Sequence, residues 1–166
     1  MLFIMELIVK QIHLLLVKSK KTIAVAESCT GGLLSNLLTY IGGSSKYFIL
    51  GVVAYSNKSK EDILNIPSAF MVKKCAVSAD VAKKMAQNIR KTAKADFGIG
   101  VTGIAGPSGA TPHKPIGTVF IAVSGKNKTI SKQLSLSGNR AAIRKQSTLK
   151  ALELLKKFIK KTQSRF

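Results

Sequence analysis

The stretch "VAESCTGGLL", residues 25–34, decides how the chain is read. The residues leading into it, "KTIAVA" (21–26), are apolar and β-branched, which predicts a buried strand over 22–27. The residues leaving it, "LLSNLLTYI" (33–41), set leucines and an isoleucine at helical spacing, which predicts a helix over about 30–40. Glu27, Ser28, Cys29, Thr30, Gly31 and Gly32 therefore fall where a strand turns into a helix. Open α/β sheets seat ligands and reacting groups at such turns. The chain has only seven acidic residues, so a carboxylate placed there needs a reason.

The same reading extends in both directions. An amphipathic helix is expected over 3–19. "YFILGVVAYS" (47–56) reads as a strand bounded by the "GGSS" turn, and "KSKEDILNI" (58–66) as a short helix stopped by Pro67. "VSADVAKKMAQNIRKTAKA" (77–95) is a helix, with Ser78 as its cap and Val81, Met85 and Ile89 as a stripe. "DFGIGVTG" (96–103) is a short buried strand, followed by a loop forced by glycine and proline over 104–115. "IGTVFIAVSG" (116–125) and "KTISKQLSLSG" (128–138) are strands joined at "GKN", and 139–161 closes the chain as a helix. Strands alternating with helices and then a hairpin predict a three-layer α/β/α sandwich with a mixed sheet. No linker divides the chain, so residues 1–166 are expected to form one domain.

Composition narrows the function. Apolar residues make up 46% of the 166 and charged residues 20%, an ordinary folded balance. Two cysteines and two histidines without ligand spacing give no disulfide framework, and no metal or cofactor is expected. The first 21 residues lack a basic leader, and Glu6, Lys10, Gln11 and His13 interrupt their apolar run. A first helix fits better than a signal peptide, and no stretch is long enough to span a bilayer; a cytoplasmic protein is expected. The formal charge of +20 suits nucleic acid or another polyanion, but the lysines are spread along the chain without interleaved aromatics. A lysine-rich surface is the preferred reading.

Four polar clusters stand at element boundaries. At Glu27–Gly32, backbone N–H groups at a helix start suit an anion, and Ser28 is either a nucleophile or a helix cap. Cys29 beside it is either the better nucleophile or a small packed side chain. At "AYSNKSKED" (54–62), Lys60 can accept a serine proton if its pKa is lowered, with Tyr55 orienting and Asn57 nearby. "VTGIAGPSGATPHKPIG" (101–117) holds Thr102, Gly103 and Gly106 in tight turns that can form an anion nest, although neither a Walker nor a dinucleotide spacing is present. At "SGNRAAIRKQ" (137–146), Arg140 and Arg144 share a helix face and suit a phosphate.

Taken in order, "AESCTGG", "YSNKSK", "VTGIAGPSG", "KPIGTVFIAV" and "GNRAAIR" closely resemble the CinA C-terminal domain family, over about residues 5–158. That family includes stand-alone nicotinamide mononucleotide deamidases of the PncC type. The resemblance implies an amidohydrolase that converts nicotinamide mononucleotide to nicotinic acid mononucleotide and ammonia, in pyridine nucleotide recycling. It implies Ser28 as nucleophile, Lys60 as general base and Tyr55 beside them. Substrate contacts are implied for Glu27, Thr30, Gly31, Gly32, Asn57, Thr102, Gly103, Gly106, Arg140 and Arg144. A small-molecule partner and a homodimer are implied, with nucleic acid less favoured and no membrane. The chain departs from the family pattern at Lys58, Ala79, His113 and Asn139, where an acid is usual. The alternative reading is a non-catalytic nucleotide or nucleic-acid binding protein of the same family, linked to competence or DNA damage.

Overall fold

Small residues on one face of the sheet set the spacing of the layers. The computed structural model describes residues 2–163. Helix α1 (Leu2–Ser19) precedes strand β1 (Ile23–Glu27) and helix α2 (Leu33–Thr39). A 3₁₀ turn at Ser44–Lys46 leads to β2 (Phe48–Val53), and three helices follow, α3 (Asn57–Leu64), α4 (Ser68–Lys74) and α5 (Ala79–Thr92). Strands β3 (Phe97–Gly103), β4 (Thr118–Ser124) and β5 (Thr129–Ser135) then lead to α6 (Arg140–Gln163). The sheet runs β2-β1-β3-β4-β5. Strand β1 is parallel to both neighbours, while β4 and β5 each run antiparallel to the strand before. This is the expected mixed sheet between helical layers.

Alternation along β1 and β3 sorts the core. Ile23 and Val25, with Ile99 and Val101, face α1, α2 and α6 in the larger apolar cluster. The other face carries Ala24, Ala26, Gly98, Gly100 and Ala122, and the register sets Ala26, Gly100 and Ala122 in one row. Helix α5 lies in that shallow trough. A Cβ on Gly98 would strike the carbonyl of Ala86, and one on Gly100 the carbonyl of Ala82. Met85 and Ile89 of α5 then fill the space beside β1 with Leu64, Ile66 and Met71.

The departures from expectation have local causes. Helix α2 starts at Leu33 rather than near residue 30, because Gly31 and Gly32 take left-handed backbone (φ 59° and 94°) and hold Thr30–Gly32 as a turn. Strand β2 ends at Val53 rather than Ser56, because Ser56 caps α3 in a reciprocal box with Ser59. Helix α4 was not expected from the sequence; it starts directly after Pro67, which fixes the backbone for a first turn. Ser78 caps α5 as expected, accepting from Val81 N at 3.2 Å.

Candidate active site

Strand β1 is flanked by β2 on one side and β3 on the other, so the chain changes direction across it. The crevice at its C-terminal end is the switch point of the sheet. A cavity of about 300 Å³ opens there. Its walls come from the end of β1 (Ser28, Cys29), the β2–α3 corner (Tyr55, Asn57, Lys60), the β3–β4 loop and Arg140 of α6. The sequence had placed these in four separate clusters.

Glu27 has its reason here. The alternation of β1 turns its fully buried side chain toward α2. One carboxylate oxygen accepts from Gly32 N (3.0 Å) and Leu34 N (3.1 Å), the other from Ser35 N (2.8 Å) and Ser35 Oγ (2.7 Å). The start of α2 thus already holds an anion, and that anion is internal. Two expectations change. Glu27 is not on the cleft wall, and the α2 N–H groups it occupies are not offered to a ligand. Ser28 is also not the α2 cap, a position held by Gly32 with no side-chain bond. The Ser28 N–H donates to Val101 O (3.0 Å), which ties the turn to β3, and Ser28 lines the cavity.

Arg144 is a second support from behind. Its guanidinium donates to the carbonyl of Thr30 from Nη2 (2.9 Å) and Nε (3.2 Å). A Cβ on Gly31 would lie 2.9 Å from Arg144 Nη2. Of the residues expected to touch substrate, Thr30, Gly31 and Arg144 tie the Ser28 turn to α6, and Gly32 donates to Glu27. None of the four lines the cavity.

Lys60 is buried, 3% exposed, and lines the same cavity as Ser28. Among the described residues no carboxylate holds it; its weak partners are the carbonyls of Tyr55 (3.3 Å) and Ser56 (3.5 Å). Burial lowers its pKa from the ordinary lysine value, opposed only by the nearby Cys29. Cys29 moves the other way. It is 5% exposed, and burial pushes its thiol up to about 12, which keeps it neutral and a poor nucleophile. Lys58, two residues from Lys60, pairs with Asp62 at 2.6 Å on the exposed side of α3 and takes no part in the cavity.

The remaining wall is a set of ties. Arg140 donates to Gly106 O (2.7 Å) and to the Tyr55 hydroxyl (2.7 Å), joining the β3–β4 loop to the β2–α3 corner. Asn139 caps α6 through Ala142 N (2.9 Å), so an amide serves where an acid is usual. Thr102 Oγ1 donates to Ala76 O (3.0 Å) and Lys114 Nζ to Val77 O (2.7 Å). Ala76, Val77 and Ser108 were not expected at the site. Ser108 lies inside the Gly-Pro loop that the sequence marked, whereas nothing in "CAVS" signals a wall.

This arrangement has relatives. The model of the CinA C-terminal domain matches residues 5–159. The chain belongs to the CinA C-terminal domain family. It is similar to a CinA-like protein of Thermotoga maritima, 46% identical over 146 residues, covering 88% of this chain and 36% of that one. A CinA-like protein of Geobacter sulfurreducens is 45% identical over 136 residues, covering 82% of this chain and 33% of that one. The chain thus spans about a third of the length of these curated relatives. Among solved structures, competence/damage inducible protein CihA of Agrobacterium tumefaciens superposes with a TM-score of 0.89 at 34% identity, covering 92% of this chain and 93% of that one. A CinA superfamily protein of Escherichia coli superposes at 0.87 and 29% identity, covering 92% and 89%. Among the described residues, no helix is long and apolar enough to cross a membrane, and no cluster of three His, Cys, Asp or Glu could hold a metal.

Proposed function

We propose that the chain is an amidohydrolase that deamidates nicotinamide mononucleotide, with Ser28 as nucleophile and Lys60 as base. The observation that carries the reading is a buried lysine with no carboxylate partner among the described residues, on the same cavity as Ser28, its pKa lowered by burial. A carboxamide is a poor electrophile and needs an activated nucleophile. In the proposed reaction Ser28 Oγ adds to the amide carbon and its proton passes to neutral Lys60. The tetrahedral adduct then expels ammonia, which takes the proton back from Lys60. Water, deprotonated by Lys60, adds to the ester on Ser28, and the proton passes from Lys60 to the departing Ser28 Oγ as the acid is released. Arg140, fixed at the rim between Gly106 and Tyr55, is the cation best placed for the substrate phosphate.

The test is ammonia release from nicotinamide mononucleotide by wild type, Ser28→Ala, Cys29→Ala and Lys60→Ala. The expected result is retained turnover in Cys29→Ala and a loss of more than about 10³-fold in the other two. No ammonia from folded wild type would overturn the reading.

A further inference from the structure

The +20 charge is unevenly placed once the chain is folded. The cleft lies at the C-terminal ends of β1 and β3. At the opposite pole α1 passes into β1, α5 into β3, and β4 turns into β5. Helix α6 starts at the cleft and ends at this pole, because Phe158 lies 2.9 Å from where a Cβ of Gly125 would stand at the β4–β5 turn. Each connection there brings exposed lysines: Lys20 and Lys21, Lys91 and Lys94, Lys126 and Lys128. The last turns of α6 bring three more.

The acids lie elsewhere. Glu27 ends β1 at the cleft, Glu61, Asp62 and Asp80 sit on helices that start at the cleft end, Glu6 lies in the first half of α1, and Glu153 pairs with Lys150 along α6. Only Asp96 stands at the pole, and it is held by Lys21 Nζ (2.8 Å) and by Thr22 N and Oγ1 (3.0 Å each). Lysines at the ends of α1, α5 and α6 complement the helix dipoles. That reason does not extend to Lys126 and Lys128, which lie in a hairpin turn.

We propose that this pole docks on the phosphate backbone of a nucleic-acid duplex, apart from the cleft. Among the described residues the exposed cations there are lysines, point charges that neutralise phosphates without reading base edges. Among the described residues, Tyr40 is the one exposed aromatic in the connections on this side of the sheet, so a stacking platform for single strands is lacking.

The experiment is fluorescence anisotropy of a random-sequence 20-base-pair DNA titrated with the full chain. Engagement of about five phosphates predicts a loss of about 500-fold in affinity between 50 and 200 mM salt. The variant Lys91→Gln/Lys94→Gln/Lys126→Gln/Lys128→Gln is expected to bind at least about 10-fold more weakly at 50 mM salt, with the log–log slope shallower by about 3–4. The control Lys10→Gln/Lys73→Gln/Lys84→Gln/Lys145→Gln has the same net charge and is expected to stay within about threefold of wild type. Matching thermal melts confirm that both variants are folded. Equal weakening of the two variants would overturn the proposal, since net charge alone would then explain binding. So would absence of duplex binding by wild type at 50 mM salt, tighter binding of a single strand with the same number of phosphates, or binding to phosphatidylserine vesicles that duplex does not compete away.

Discussion

Replacing Glu27 by glutamine tests whether this carboxylate organises the Ser28 turn or touches substrate. The carboxylate accepts four hydrogen bonds, two on each oxygen. A glutamine can keep its oxygen on Gly32 N and Leu34 N, now as neutral bonds worth about 1 kcal/mol less each. Its NH₂ then faces Ser35. The Ser35 hydroxyl can rotate to accept, but the Ser35 N–H is left against a donor, at a cost of about 1–3 kcal/mol. After subtracting the easier burial of a neutral amide, Glu27→Gln should destabilise the fold by about 3 kcal/mol. With a urea dependence of about 2 kcal/mol/M, the unfolding midpoint should fall by about 1.5 M. Turnover should fall through kcat, because Ser28 loses the turn that holds it. A midpoint shift below about 0.3 M with only a raised KM would refute the reasoning and return Glu27 to the cleft.

Lys60→Met should abolish turnover yet raise stability at neutral pH by about 1 kcal/mol, because a desolvated amine is replaced by an apolar chain. The folded pKa of Lys60 is lowered, so the unfolded chain binds more protons. Wild type should therefore gain stability as pH rises through that lowered pKa toward the ordinary 10.5, and Lys60→Met should lack this gain in urea melts. In the proposed reaction the neutral lysine is the active form, so wild-type turnover should fall as pH drops below the lowered pKa. Iodoacetamide labelling at pH 8, read by mass spectrometry, should modify Cys75, which is exposed and has its pKa lowered chiefly by Lys114. Cys29, raised to about 12, should stay unmodified, and the reverse order would contradict the assigned environments. Gly100→Ala should cost about 3 kcal/mol, or about 6–12 °C in melting temperature, since the new methyl meets the Ala82 carbonyl and lies 2.7 Å from Ala86 N. An unchanged melt would mean that α5 can lift off β3 freely.

Much of the architecture was legible because hydrophobic period and punctuation agreed. The β1 stretch at 22–27, the Ser78 cap and the glycine-forced loop after β3 each had a local cause that the sequence states. Strand order was not legible, since placing β1 between β2 and β3 depends on long-range packing. Helix α4 was missed because "SAFMVKK" is too short to show a period. At the site, residue types and motif order marked Ser28, Tyr55, Lys60 and Arg140, which the fold brings to one cavity. The sequence could not tell a residue facing the cavity from one bracing it from behind. Glu27 and Arg144 carry charges that suit a ligand, and only the geometry reveals that backbone N–H groups and carbonyls already occupy them.

Because the Ser28 turn is braced from behind by Glu27 and Arg144, the β3–β4 loop wall is free to be rebuilt without moving Ser28, the proposed nucleophile. The β3–β4 loop is exposed over residues 107–113, and it returns to the fold through Lys114 and the tie of Arg140 to Gly106. Insertions or exchanges between those two anchors would reshape what the cavity admits and leave the reacting groups in register. On the proposed function, the fold thus separates inheritance of the chemistry from diversification of the substrate. Laboratory selection for a new carboxamide should accumulate its changes in that loop, while Glu27, Gly31 and Arg144 stay unaltered.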